Sequence, residues 1–136
     1  MNSTSALPHR THGPRRIRNR HVSRVNRLAG AALFLLTVGL YLVLRGSPWI
    51  GLGLLLAPDL AALGFFVSAQ VGVAAYNLAH RPAYPGALLV IAVVAGWNVG
   101  TFCALIWLAH IGMDRAAGYG LKDATSPIAP ASTKTP

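Results

Sequence analysis

Eight polar residues stand in otherwise apolar surroundings and could carry chemistry: Asp59, Tyr76, Asn77, His80, Arg81, His110, Asp114 and Arg115. Their spacing is helical. His110 and Asp114 are four apart, so a helix puts them on one face. Tyr76 and His80 have the same spacing, and Asn77 lies one turn from His80. Imidazoles and carboxylates converging from separate helices can hold one divalent metal ion, with Asp59, His80, His110 and Asp114 as the ligand set. The same groups can relay protons. They can also simply satisfy one another: Asp59 paired with Arg81, or hydrogen-bonded to His80, would hold a kinked bundle in register. The residues alone leave a structural network, a metal site and an ion path all open. No phosphate loop, dinucleotide fingerprint, paired CxxC or nucleophile elbow accompanies them, so no catalytic residue can be assigned. The single cysteine, Cys103, sits in an apolar run and reads as a packing residue, which excludes a disulfide scaffold.

The elements that must position these groups are apolar. Of 136 residues, 54% are hydrophobic and 11% charged, against roughly a quarter charged in a soluble domain. Between Leu28 and Met113 the only formal charges are Arg45, Asp59 and Arg81, which excludes an ordinary soluble globular protein. The pattern predicts an all-α, polytopic membrane protein: a bundle of four transmembrane helices over residues 28–44, 49–67, 71–96 and 99–117, in a domain ending near residue 122. Pro58-Asp59 should kink the second span. Arg81-Pro82-Ala83-Tyr84-Pro85 interrupts the third. It is either one kinked span or two half-helices about a re-entrant break. Gly118 and Gly120 supply the last stop.

Residues 1–27 hold seven arginines and no acid, and with residues 123–136 they are expected to be disordered. The arginines read as the cytoplasmic flank of the first span, in contact with anionic lipid headgroups. Nucleic acid is the poorer partner, because residues 1–27 contain no aromatic side chain to read bases. An even number of spans puts both termini in the cytoplasm and the chain in a bacterial cytoplasmic (inner) membrane, with a homo-oligomer left open. On that topology Asp59, His80 and His110 lie ~10–14 Å from the cytoplasmic helix ends, at matching depth.

At Leu56-Ala57-Pro58-Asp59-Leu60, Tyr76-Asn77-Leu78-Ala79-His80, Trp107-Leu108-Ala109-His110-Ile111-Gly112-Met113-Asp114-Arg115 and Gly118-Tyr119-Gly120-Leu121-Lys122, the chain resembles a known family. It is the small bacterial integral membrane proteins catalogued as domain of unknown function 4260, matched over about residues 27–122. That resemblance implies a membrane fold and no reaction. After Lys122 the family's Tyr-Pro-Thr-Gly-Phe-like run gives way here to a Pro/Ala/Thr tail. A weaker similarity is to bacterial membrane-bound metal-dependent hydrolases, through Pro58-Asp59, His80-Arg81 and His110-x-x-x-Asp114 in that order. Ala61, Tyr84 and Pro85 stand where those proteins carry Asp, Thr and His. The similarity implies a reduced metal site on Asp59, His80, His110 and Asp114, acting on a lipid or other membrane-proximal substrate. The leading expectation is a membrane protein with a buried polar cluster of structural, ion or small-ligand role; the rival is the hydrolase.

Overall fold

The computed structural model describes residues 15–123 and 126–130, with side chains over residues 24–121. Helix α1 runs Arg15–Val43. It starts well before residue 28, where the sequence pattern predicts an irregular tail: residues 15–27 contain no Gly or Pro, and Arg is a good helix former. Residues 1–14 and the side chains of Arg15, Arg16, Arg18 and Arg20, and with them the expected contact with anionic lipid, lie outside the described residues. At its far end α1 closes with Arg45 N–H on the Leu42 carbonyl and Gly46 N–H on the Tyr41 carbonyl. Arg45 takes the left-handed conformation that this cap requires (φ 65°).

Pro48 opens helix α2 (Pro48–Leu55). Ten residues after Pro48, Pro58 has no N–H to give the Leu54 carbonyl. The chain tightens into a 3₁₀ helix, Ala57–Phe66, in which Asp59 N–H bonds the Leu56 carbonyl at 3.2 Å. An α-helix would have directed that N–H to Leu55, so the Leu55 carbonyl is released for another donor. The expected kink at Pro58-Asp59 is thus a change of helix type.

Ser68 caps helix α3 (Ala69–Ala79), its Oγ accepting from Val71 N–H. Helix α4 (Ala83–Val94) follows after His80-Arg81-Pro82. The third segment is therefore two helices and not one continuous kinked helix, because Pro82 disfavours the helical conformation before it. Helix α5 (Asn98–Ala117) ends at Gly118, whose φ of 96° suits glycine. Strands β1 (Lys122–Asp123) and β2 (Ser126–Pro130) then form a short antiparallel pair within the stretch expected to be an irregular tail. Residues 131–136 lie outside the described residues.

Helix α5 is the hub. It buries Gly100, Ala104, Leu105, Ile106, Leu108, Ala109, His110, Ile111 and Gly112. Helix α1 lies antiparallel along it: the Tyr41 ring meets Phe102 edge-on at 5.3 Å, while Gly30 meets Gly112 and Arg115 at the other end. There the backbones nearly touch. A methyl on Gly112 would stand 2.7 Å from the Phe34 nitrogen, and one on Gly30 2.8 Å from the Gly112 oxygen. Tyr41, Leu105 and Ile106 form the apolar core, with Leu54, Leu55, Leu89 and Phe102 packed around them. Helix α4 packs on α5, and α3 packs on the 3₁₀ helix. Among the described residues two stretches are long and apolar enough to cross a membrane, Arg24–Val43 and Pro48–Phe66, where four spans are expected. Helix α4 is apolar but has only 12 residues.

Candidate metal centre

The irregular backbone creates the site. His80 follows the last residue of α3 and turns its Nδ1 onto the Tyr76 carbonyl at 2.8 Å. His110, from the middle of α5, puts its Nδ1 on the Leu55 carbonyl at 2.7 Å, the oxygen released by the switch to 3₁₀ helix. A carbonyl only accepts, so both rings carry their proton on Nδ1. Both Nε2 lone pairs then point inward and face each other at 3.0 Å.

Two carboxylates close around them. Asp114 Oδ2 is 3.3 Å from His80 Nε2 and 3.7 Å from His110 Nε2. Asp59 Oδ1 is 3.5 Å from His110 Nε2 and 3.8 Å from His80 Nε2. The four ligand atoms come from the 3₁₀ helix, the end of α3 and two turns of α5. The His110 side chain is wholly buried and that of His80 nearly so, whereas Asp59 is 53% exposed and faces outward.

Other groups hold the ligands in place. The Tyr76 hydroxyl donates to Asp114 Oδ2 at 3.3 Å, and its ring stacks on His80 at 3.8 Å, 13° from parallel. Trp107 donates its indole N–H to the Ala79 carbonyl at 2.5 Å, which satisfies the end of α3 beside His80. The Trp107 ring itself is half-buried. A cavity of ≈ 320 Å³ adjoins the centre, lined among others by Pro58, Ala61, Ala79, Cys103 and Trp107.

Of the eight candidates, Asp59, Tyr76, His80, His110 and Asp114 gather here, and Asn77, Arg81 and Arg115 do not. Arg81 makes no ion pair with Asp59; the acid pairs with the two histidines. Successive residues at a helix end point about 100° apart, so turning His80 inward turns Arg81 out, into a second cavity with Asn77 and Tyr84. Arg115 is exposed in the last turn of α5, its Cβ against Gly30 of α1. Sequence reasoning misses the Leu55 and Ala79 carbonyls, because backbone oxygens leave no residue-type signal. The available clue to Leu55 is Pro58, since a proline in a helix frees carbonyls one turn back.

This arrangement matches the inner and outer shells of a metal site: ligand nitrogens facing in, and the opposite ring N–H of each imidazole tied to a carbonyl. Nitrogen and oxygen ligands at 2.0–2.1 Å around a tetrahedral ion lie ~3.3 Å apart. Asp59, His80 and His110 offer ligand atoms that all lie within 4.8 Å of one another, and the Asp114 carboxylate approaches the two histidines at 3.3 and 3.7 Å. Comparison with curated proteins finds no match, and comparison with solved structures finds none. A family model does match, over residues 23–127, most of the chain and every residue of the centre. The chain belongs to the family described as Domain of unknown function (DUF4260).

Proposed function

We propose that this chain is an integral membrane protein whose Asp59, His80, His110 and Asp114 hold one divalent metal ion. The observation that carries the reading is the pair of inward Nε2 atoms, 3.0 Å apart and without a proton between them in the neutral rings. Two lone pairs at that distance repel unless a cation lies with them. Two carboxylates and a divalent ion sum to zero charge, which suits an apolar surrounding. A bound ion would supply Lewis-acid polarisation of a ligand oxygen or an activated water. The protein's own groups orient the imidazoles and hold Asp114 through the Tyr76 hydroxyl.

The competing arrangement is one extra proton shared between the histidines. The 3.0 Å separation fits that arrangement as well, so metal content decides between the two. Hydrolysis is the second reading, favoured by the outward-facing Asp59 and the adjoining cavity. Protein purified in detergent should contain one divalent transition ion per chain by elemental analysis. Saturating metal at 100 times its Kd adds about 2.7 kcal/mol of stability, so chelation should lower the Tm clearly. Metal-free protein with a chelator-insensitive Tm would sink the metal reading.

Support for the membrane comes from exposure. The core helix of a soluble protein is mostly buried, yet Arg24–Val43 and Pro48–Phe66 are 17% and 6% buried. Leu35, Leu36, Val43, Trp49, Phe66 and Val94 all face outward, far more apolar surface than a soluble monomer shows. We read α3 and α4 together as the third span, broken at Arg81-Pro82, and α5 as the fourth. The arginines near residue 27 then place both termini in the cytoplasm of a bacterial inner membrane. Reporter fusions test this: a cytoplasm-active reporter should work at Pro136 and fail in the Arg45–Pro48 turn. The reverse pattern would overturn the topology.

A further inference from the structure

Arg81 is left unengaged by the metal centre. It is exposed, and among the described residues no acid lies within 4.0 Å of its guanidinium. It lines a cavity of ≈ 270 Å³ with Asn77, Tyr84, Ala74, Leu78 and Leu121. Among the described residues no acidic side chain lines this cavity. Arg81 and Tyr84 offer it a guanidinium fork and a phenolic hydroxyl, and the positive end of α4 begins just after Arg81. Leu121 lies beyond the end of α5, so the cavity reaches the end of the bundle. Its rim continues into apolar side chains that face outward, Leu78 and Leu121 among them.

We propose that Arg81, with Tyr84, binds a phosphate-type oxyanion, and that its source is the phosphodiester of a membrane lipid. An arginine in an apolar setting needs a counter-anion, and among the described side chains none pairs with it. Two phosphate oxygens match the guanidinium fork. At the end of a bundle in a bilayer, with apolar side chains on the rim, the lipid phosphodiester is the oxyanion at hand. The proposal rests on the membrane reading above and is independent of the metal.

The test uses full-length protein in detergent, with Tm followed while adding dihexanoyl phosphatidylglycerol, inorganic phosphate or uncharged dihexanoylglycerol. The phosphatidylglycerol should raise the wild-type Tm. In Arg81→Gln its apparent affinity should fall at least ~10-fold, the loss of one hydrogen-bonded charge pair. Arg81→Lys should retain part of the binding, and Tyr84→Phe should weaken it less than Arg81→Gln. Equal stabilisation by inorganic phosphate, lost in Arg81→Gln, upholds the phosphate chemistry and assigns a free phosphate as the source. Stabilisation by dihexanoylglycerol alone, or an unchanged response in Arg81→Gln, overturns the site. Metal content in the same samples should stay at the wild-type level. Recovery of the protein in the soluble fraction would separately defeat the membrane reading while leaving the phosphate arm informative.

Discussion

His110→Gln is expected to abolish stoichiometric metal binding while helix content, by circular dichroism, stays at the wild-type level. The side chain is wholly buried and supplies one of the two nitrogens that meet at 3.0 Å. Glutamine fills similar space, and its amide can still donate to the Leu55 carbonyl, so the fold keeps its link between α2 and α5. What it lacks is an inward nitrogen lone pair. Removing one of four ligands should weaken binding by more than the 10–100-fold that an outer-shell change costs. Tyr76→Phe, which removes only the bond to Asp114, marks that smaller step. A metal titration ranks them, and wild-type affinity in His110→Gln would show that the ligands lie elsewhere. If the centre is only a hydrogen-bonded network, Asp59→Asn should be tolerated better than Asp59→Leu, and neither should change metal content.

Gly112→Leu should prevent the bundle from closing, a second large effect with a different cause. At Gly112 the α1 backbone lies where a side chain would go: the Phe34 nitrogen at 2.7 Å and the Gly30 oxygen at 2.9 Å from an added methyl. Backbone cannot step aside as a flexible side chain can. Even Gly112→Ala should cost about 3 kcal/mol, the upper range for an overpacked core. Gly53→Ala is the control. Nothing lies within 4 Å of a methyl there, and alanine in place of helical glycine adds up to ~1 kcal/mol. Thermal unfolding in detergent should separate the two substitutions in opposite directions. Equal Tm values would mean that α1 and α5 are not packed at Gly112.

The gathering of Asp59, His80, His110 and Asp114 was legible because polar groups isolated in apolar helices turn toward one another. The partners of those residues were not. Asp59 and Arg81 are opposite charges in one apolar stretch, so charge alone pairs them; the backbone break after Ala79 decides instead that His80 turns in and Arg81 out. The ten-residue 3₁₀ helix was equally hidden, since Pro58 announces an interruption but not what replaces it. The α1–α5 contact at Gly30 and Gly112 has no periodic apolar signature, because its essential feature is a missing side chain. Helix ends were clearest where a left-handed residue was needed, as at Gly118.

The role of α5 as hub has a consequence for the order in which the protein is made. Its partners α1, α2 and α4 all precede it in the chain, and α1, which packs along its length, is the first of the described helices. During synthesis each earlier helix emerges without the surface it will finally cover. The core residues Leu105 and Ile106 and the second imidazole arrive last. Closing the first helix onto the fifth is a long-range event, the kind that sets a slow folding rate. Until it happens, Tyr41 and Thr37 must wait with their final neighbours unmade. Assembly is therefore gated by the arrival of α5, and a ribosome paused before Asn98 would hold a chain with its helices begun and no centre.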